Sequence, residues 1–299
     1  MRTLEQRMLN LSSYAAYSEK LIDSANTRIA LSIYSSNKND PCVIFLPGTM
    51  THPLFYDDFL AALAGYGFNV VGVHFLSHGK SPREKKRYTF ADMVQNVEDT
   101  ISFCLDHFGS NPIIMGSSQG GILSMALAAR DSRIQAVFAH NILLPTLKES
   151  ISITNFPRFF SLFYRIFPPM LKCLARMMPE LQIPITAYLD LDRITSSIEI
   201  QQGFYKDPLG LTSYPLCFLA SLFTADLTGI TDGSIECPVV VIASKGDPLF
   251  SFSYCSEVFD KIAAPGKEMI VFDEPSHLIF NECVDRVIEP IASSLKRYF

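Results

Sequence analysis

Ile113-Ile-Met115-Gly116-Ser117-Ser118-Gln119-Gly120-Gly121 is the stretch from which the rest of the chain is read. It has the form G-x-S-x-G with Ser118 at its centre. An apolar run over 112–115 precedes it and a helix-forming run over 120–130 follows. Strand, sharp turn and helix are the setting of a nucleophile elbow. A serine carried on such a turn has a strained backbone, and side chains at Gly116 and Gly120 would clash. The helix N-terminus beyond it favours developing negative charge. Ser117 is the neighbouring alternative, but it lies out of register with the flanking glycines.

Working outward, a rhythm appears. Short apolar runs over 42–46, 69–73, 112–115 and 134–139 read as buried strands. Helical segments over 57–65, 89–108 and 120–130 separate them, with Thr89 as a cap and Gly109 as a stop. Residues 27–34 alternate, placing Ile29, Leu31 and Ile33 on one face of a half-buried strand. Residues 4–22 read as a helix, because Leu4, Met8, Leu11, Ala15 and Leu21 recur at helical spacing. The rhythm stops over 145–230, where prolines, aromatics and helical patches occur without a clear strand. It resumes with a strand over 238–243, a helix over 251–263, a strand over 268–272 and a helix over 281–298. Strands alternating with helices mean βαβ units and a mostly parallel sheet, an α/β fold. The expected organisation is a core built from 1–144 and 231–299, with a helical cap over 145–230. In open α/β sheets the site lies at the carboxyl ends of the strands, so a cap leaving from one of those ends would cover it.

A serine hydroxyl needs a base, and the base needs an orienting acid. His277, in Phe272-Asp-Glu-Pro-Ser-His277, stands on a loop beyond a strand end. His140 also follows a strand and is the fallback base. Asp247, in Ile242-Ala-Ser-Lys-Gly246-Asp247-Pro248, is a carboxylate just past another strand. Asp273 and Glu274 are nearer to His277 in sequence and are the weaker candidates. The developing oxyanion needs two backbone N–H donors. Gln119, next after the nucleophile, supplies one. Thr49, in Phe45-Leu-Pro47-Gly48-Thr49-Met50, supplies the other, with Met50 as the near alternative and as a substrate contact.

Composition narrows the classes. The 299 residues are 48% hydrophobic and only 18% charged, with a net charge of −5. A large core is therefore available, and the chain has no electrostatic footprint for nucleic acid. The densest positive cluster, Arg83-Glu-Lys-Lys-Arg87, reads as a solvated loop. Seven cysteines lack metal-ligand spacing and read as buried free thiols, suited to a reducing, cytoplasmic compartment. No segment is apolar enough to span a membrane. His52, His74, His78 and His107 are not spaced as metal ligands.

The elbow, the Leu46-Pro-Gly48 loop, Ser77-His-Gly-Lys-Ser81, Gly246-Asp247 and Ser276-His277 together resemble the α/β-hydrolase superfamily. The likeness is to its monoacylglycerol lipase, lysophospholipase and S33-peptidase-like branch, over about 28–140 and 235–299. Two departures stand out. The loop reads Pro47-Gly48 where the family has His-Gly, and Ser77 replaces the first glycine of Gly-His-Gly-x-Ser. The resemblance implies the α/β-hydrolase fold and a serine hydrolase without metal or cofactor. It also implies that the acid comes from the strand end before the histidine, hence Asp247. The implied substrate is a small-molecule or lipid carboxylic ester. Phe156, Phe159, Phe160, Phe163 and Phe167 share helical spacing in the cap. Phe159 and Phe163 are its candidate substrate contacts, on an apolar face that would also suit transient contact with a membrane surface.

Overall fold

The computed structural model describes residues 17–35, 37–84, 86–145, 147–155, 166–195 and 197–299. β1 (Tyr17–Ser24) and β2 (Thr27–Tyr34) open them as an antiparallel hairpin. Its two turn residues, Ala25 and Asn26, both have positive φ, 48° and 59°, as a type I′ turn requires. The helix expected over 4–22 is thus overturned across 17–22, and residues 4–16 lie outside the described residues. β1 is an edge strand held by pairing with β2 rather than by burial, and Leu21 is exposed on it. Its helical spacing carried no information about packing.

β3 (Cys42–Leu46), α1 (Asp57–Gly65), β4 (Asn69–His74), α2 (Phe90–Phe108), β5 (Ile113–Ser117), α3 (Gln119–Ala128) and β6 (Ala136–His140) follow in turn. Every residue of these four strands is buried, as befits strands covered on both faces. α2 begins with a reciprocal cap. Thr89 Oγ1 accepts the Asp92 N–H at 3.3 Å, and Asp92 Oδ2 accepts the Thr89 N–H at 2.8 Å. The helix stops at left-handed Gly109, with φ 74°.

The chain then leaves the sheet through α4 (Phe167–Met177), β7 (Gln182–Pro184), α5 (Ile198–Lys206), β8 (Ser213–Pro215) and α6 (Leu216–Phe223). β7 and β8 pair as a two-stranded antiparallel ribbon where no strand was expected. Each has three residues and ends in proline, too short for alternation to register. Met170, Leu174 and Met177 are exposed along α4. The sheet resumes with β9 (Val239–Ser244), α7 (Phe252–Lys261) and β10 (Lys267–Phe272), followed by α8 (Ile279–Glu282) and α9 (Val284–Leu295).

The sheet has eight strands in the order β1-β2-β4-β3-β5-β6-β9-β10. Neighbours from β4 to β10 are parallel, and β1 and β2 are antiparallel additions. The carboxyl ends of β3, β5, β6, β9 and β10 therefore share one edge, and the loops carrying the candidate residues leave from it. The chain passes to opposite sides of β3 at this edge, the switch point where open sheets bind ligands. All seven cysteines are free, five of them buried, with Cys217 half-buried and Cys173 exposed. No helix among the described residues is long and apolar enough to cross a membrane.

Candidate active site

Ser118 joins β5 to α3 at φ 53° and ψ −112°. A non-glycine residue held there costs on the order of 1–3 kcal/mol, so the surroundings must enforce it. Close packing does so. A β-carbon on Gly116 would lie 2.1 Å from Gly120 O, and one on Gly120 would lie 2.1 Å from Leu46 O. The Ser118 N–H donates to His140 O at 2.8 Å, and Ser118 O accepts the Gly121 and Ile122 N–H groups at 2.8 and 3.2 Å. Ser118 is half-buried and lines a cavity. Ser117 is buried behind it, with its hydroxyl 3.4 Å from His140 Nδ1.

Asp247 and His277 meet from the ends of β9 and β10. Gly246 permits the approach, since a β-carbon there would lie 2.6 Å from Glu274 O. His277 Nδ1 lies 2.9 Å from Asp247 Oδ2, and the Phe250 ring stacks on the imidazole at 5.4 Å. Asp247 Oδ1 accepts the N–H groups of Leu249 and Phe250 at 2.7 and 2.9 Å. Burial alone would raise this carboxyl's pKa, but the charge and hydrogen bond of His277 and the Phe250 N–H outweigh it and hold the pKa below the usual carboxylate range. The two weaker candidates face elsewhere. Asp273 pairs with Lys245 at 2.9 Å on the surface, and Glu274 pairs with Arg286 at 2.6 Å.

A polar chain that the sequence did not announce runs behind the pair. Asn141, at φ 59°, donates to Asp247 Oδ2 at 2.7 Å, and its amide nitrogen lies 2.8 Å from His140 Nε2. Burial pushes the His140 pKa down to about 3, so this imidazole is neutral. With Nε2 accepting from Asn141, its proton sits on Nδ1, toward Ser117. His140 therefore serves the inner serine and the acid's partner, not Ser118. The His140 and His277 rings are 5.7 Å apart, and the same His140 accepts the Ser118 N–H through its backbone carbonyl.

The loop after β3 supplies the remaining groups. The Gly48 N–H donates to Tyr56 Oη at 3.2 Å, and Thr51 Oγ1 donates to Gly48 O at 2.8 Å. Met50 is left-handed, with φ 59°, and its N–H donates to Tyr214 Oη at 2.8 Å. That N–H is thus already used, and buried Met50 is not among the walls of the cavity at Ser118. The inserted segment holds the Met50 backbone, since its Leu211 N–H also donates to Met50 O at 3.0 Å. Thr49 and Gln119 do line that cavity, together with Ile122, Leu143, Tyr188, Phe223 and Phe250. Its volume is about 40 Å³. Phe159 and Phe163 lie outside the described residues. Ser77 has φ 61°, which explains why a glycine is usual at that place in the motif. Among the described residues no three His, Cys, Asp or Glu side chains gather as a metal site.

Comparison with known proteins bears on the family and the fold. The family model for serine aminopeptidase, S33, matches residues 37–284. The structure is similar to Paleococcus ferrophilus monoacylglycerol lipase, with 19% identity, a TM-score of 0.74, and coverage of 91% of this chain and 99% of that one. It is also similar to a soluble variant of Saccharomyces cerevisiae monoglyceride lipase in complex with a substrate analog, at 16% identity, TM-score 0.72 and coverage of 95% and 96%. A thermostable carboxyl esterase from Bacillus coagulans, in complex with glycerol, matches at 18% identity, TM-score 0.73 and coverage of 95% and 99%. No curated relative matches the sequence. With the family model spanning most of its length, this chain belongs to the serine aminopeptidase S33 family and has the α/β-hydrolase fold.

Proposed function

We propose that this protein hydrolyses carboxylic esters with apolar acyl chains through an acyl-enzyme on Ser118. The observation that carries the proposal is the imidazole of His277, with Nδ1 engaged by Asp247 and its face stacked on Phe250, a residue that lines the same cavity as Ser118. With the proton held on Nδ1, Nε2 is the basic nitrogen. Ser118 Oγ attacks the carbonyl carbon as its proton passes to His277 Nε2. The tetrahedral oxyanion is received by the Thr49 and Gln119 N–H groups. His277 then returns the proton to the leaving alcohol, whose bond to the acyl carbon breaks. Water, deprotonated by His277, adds to the acyl-enzyme, and the acid departs as Ser118 recovers its proton. Asp247 holds the ring and offsets the imidazolium charge.

The cavity's chemistry favours an acyl group over a peptide amine. An aminopeptidase must receive an ammonium, which calls for a carboxylate or a ring of acceptors. The described cavity walls are Ile, Leu, Phe and Tyr side chains with Thr49, Thr154, Ser118 and Gln119, and hold no Asp or Glu. The test is labelling with a fluorophosphonate, with the adduct mapped by peptide mass spectrometry. Ser118 carries the label, and Ser118→Ala loses both the label and ester turnover, the latter by about 10⁶-fold, with its fold intact. Folded protein that takes no label, or an alanine variant that retains turnover, would end the proposal.

A further inference from the structure

The inserted segment holds the loop after β3 at both ends of one residue. The Met50 N–H donates to Tyr214 Oη at 2.8 Å, and Met50 O accepts the Leu211 N–H at 3.0 Å. Tyr214 is fully buried, and its hydroxyl lies 3.0 Å from His78 Nε2. The direction of each bond follows from chemistry. His78 Nδ1 is 2.8 Å from Leu76 O, and a carbonyl only accepts, so the proton is on Nδ1. Burial, against the opposing Leu76 contact, lowers the His78 pKa to about 4 and keeps the ring neutral, with Nε2 an acceptor. Tyr214 therefore donates to His78 and accepts from Met50. One oxygen thus joins His78 to the residue that follows Thr49.

The Ser77-His78-Gly79 motif has a place in this arrangement. Ser77 and Gly79 are both left-handed, with φ 61° and 55°, and a β-carbon on Gly79 would lie 2.1 Å from His74 Nδ1. The tight turn presses His78 inward under Tyr214. The turn is also tied to the inserted segment, since the Gly79 N–H donates to Leu209 O at 3.1 Å.

We propose that Tyr214, contributed by the inserted segment and oriented by His78, is a positioning residue for the oxyanion hole. By taking the Met50 N–H it fixes the Thr49–Met50 backbone and leaves the Thr49 N–H free at the Ser118 cavity. The proposal rests on the reading of Thr49 and Gln119 as oxyanion donors. Without the hydroxyl, a buried Met50 N–H has no acceptor and its peptide must turn to find one. The segment that covers the site then also completes it.

Tyr214→Phe removes a single oxygen and is the test. Expected is a fall in kcat of about 10- to 100-fold on a soluble ester, with KM nearly unchanged, since the donor matters most in the transition state. Inhibition by an alkyl trifluoromethyl ketone, whose serine adduct carries the oxyanion, weakens by a similar factor. A variant that melts earlier yet keeps wild-type kcat and ketone inhibition overturns the proposal and leaves the Ser118 reading standing. Wild-type protein that neither takes a fluorophosphonate label nor binds the ketone overturns the underlying reading, and this proposal with it. If Tyr214→Phe does not fold, His78→Leu frees the hydroxyl to rotate and is read by the same two measurements. Wild-type kcat there overturns the proposal.

Discussion

At Asp247 four donors converge on two carboxylate oxygens: the Leu249 and Phe250 N–H groups, the Asn141 amide and His277 Nδ1. A buried carboxylate stays ionised only with such partners. Asp247→Asn keeps the shape but offers an N–H where the ring N–H must be accepted. The imidazole proton then moves to Nε2, the atom that has to receive the proton of Ser118. A loss of up to about 10⁴-fold in kcat is expected. Asp273→Asn, at a side chain 82% exposed and paired with Lys245, should stay near wild type. Measuring kcat for both variants decides the assignment, and greater damage at Asp273 would show the acid to be misplaced. Ser118, Asp247 and His277 were legible because each follows a strand end with turn residues around it. Asn141 was not, for its only sequence sign is tolerance of a left-handed backbone, and its partner comes from a different strand end. The fate of the Met50 N–H was hidden for the same reason, because its acceptor is Tyr214 in the inserted segment.

The strands at the centre of the sheet were readable as elements because burial on both faces leaves continuous apolar runs. β1 escaped because an edge strand needs no apolar face, and β7 and β8 escaped because three residues carry no period. The basic cluster that reads as a solvated loop has a second role that composition cannot show. The Arg83 guanidinium donates to the carbonyls of Pro208, Leu209 and Gly210 at 3.1, 2.7 and 3.2 Å. Arg87 Nε donates to Glu180 at 2.7 Å. Both arginines are exposed but bind the loop after β4 to the inserted segment. Arg83→Ala should therefore cost little in global stability, about 1 kcal/mol or less, because water screens the contacts. Its effect should be local, with the segment after α5 opening more often. Limited trypsin digestion reads this directly, since Lys206 closes α5. Cleavage there should become several-fold faster in the variant, and an unchanged rate would mean that the arginine is not a tether.

For the molecule as a whole, the volume beside Ser118 sets the problem. About 40 Å³ is room for a few waters, whereas sites for sizeable ligands run to roughly 300–1,000 Å³. If the proposed function holds, a long acyl chain would need these walls to part. Six of the lining residues, Ile153, Thr154, Tyr188, Leu189, Leu222 and Phe223, belong to the inserted segment, and Leu143, Leu249 and Phe250 sit on loops just past the ends of β6 and β9. The central strands β3, β4, β5, β6 and β9 are buried throughout, so the inserted segment is the part expected to yield. Each acyl methylene transferred from water to this lining should then contribute about 0.8 kcal/mol, or fourfold in kcat/KM, until the space that opens is filled. Efficiency should rise along a series of p-nitrophenyl esters from acetate toward longer chains, and then fall. Phe223→Ala removes a wall on α6, so the peak should move to longer chains while acetate turnover stays near wild type. The measurement is kcat/KM for both proteins across acetate, butyrate, octanoate and myristate esters. A wild-type enzyme most efficient on acetate, with no gain at butyrate, would remove the acyl-channel reading. The assignment of Ser118, His277 and Asp247 does not depend on that outcome, because it rests on the elbow and on the Asp247–His277 contact alone.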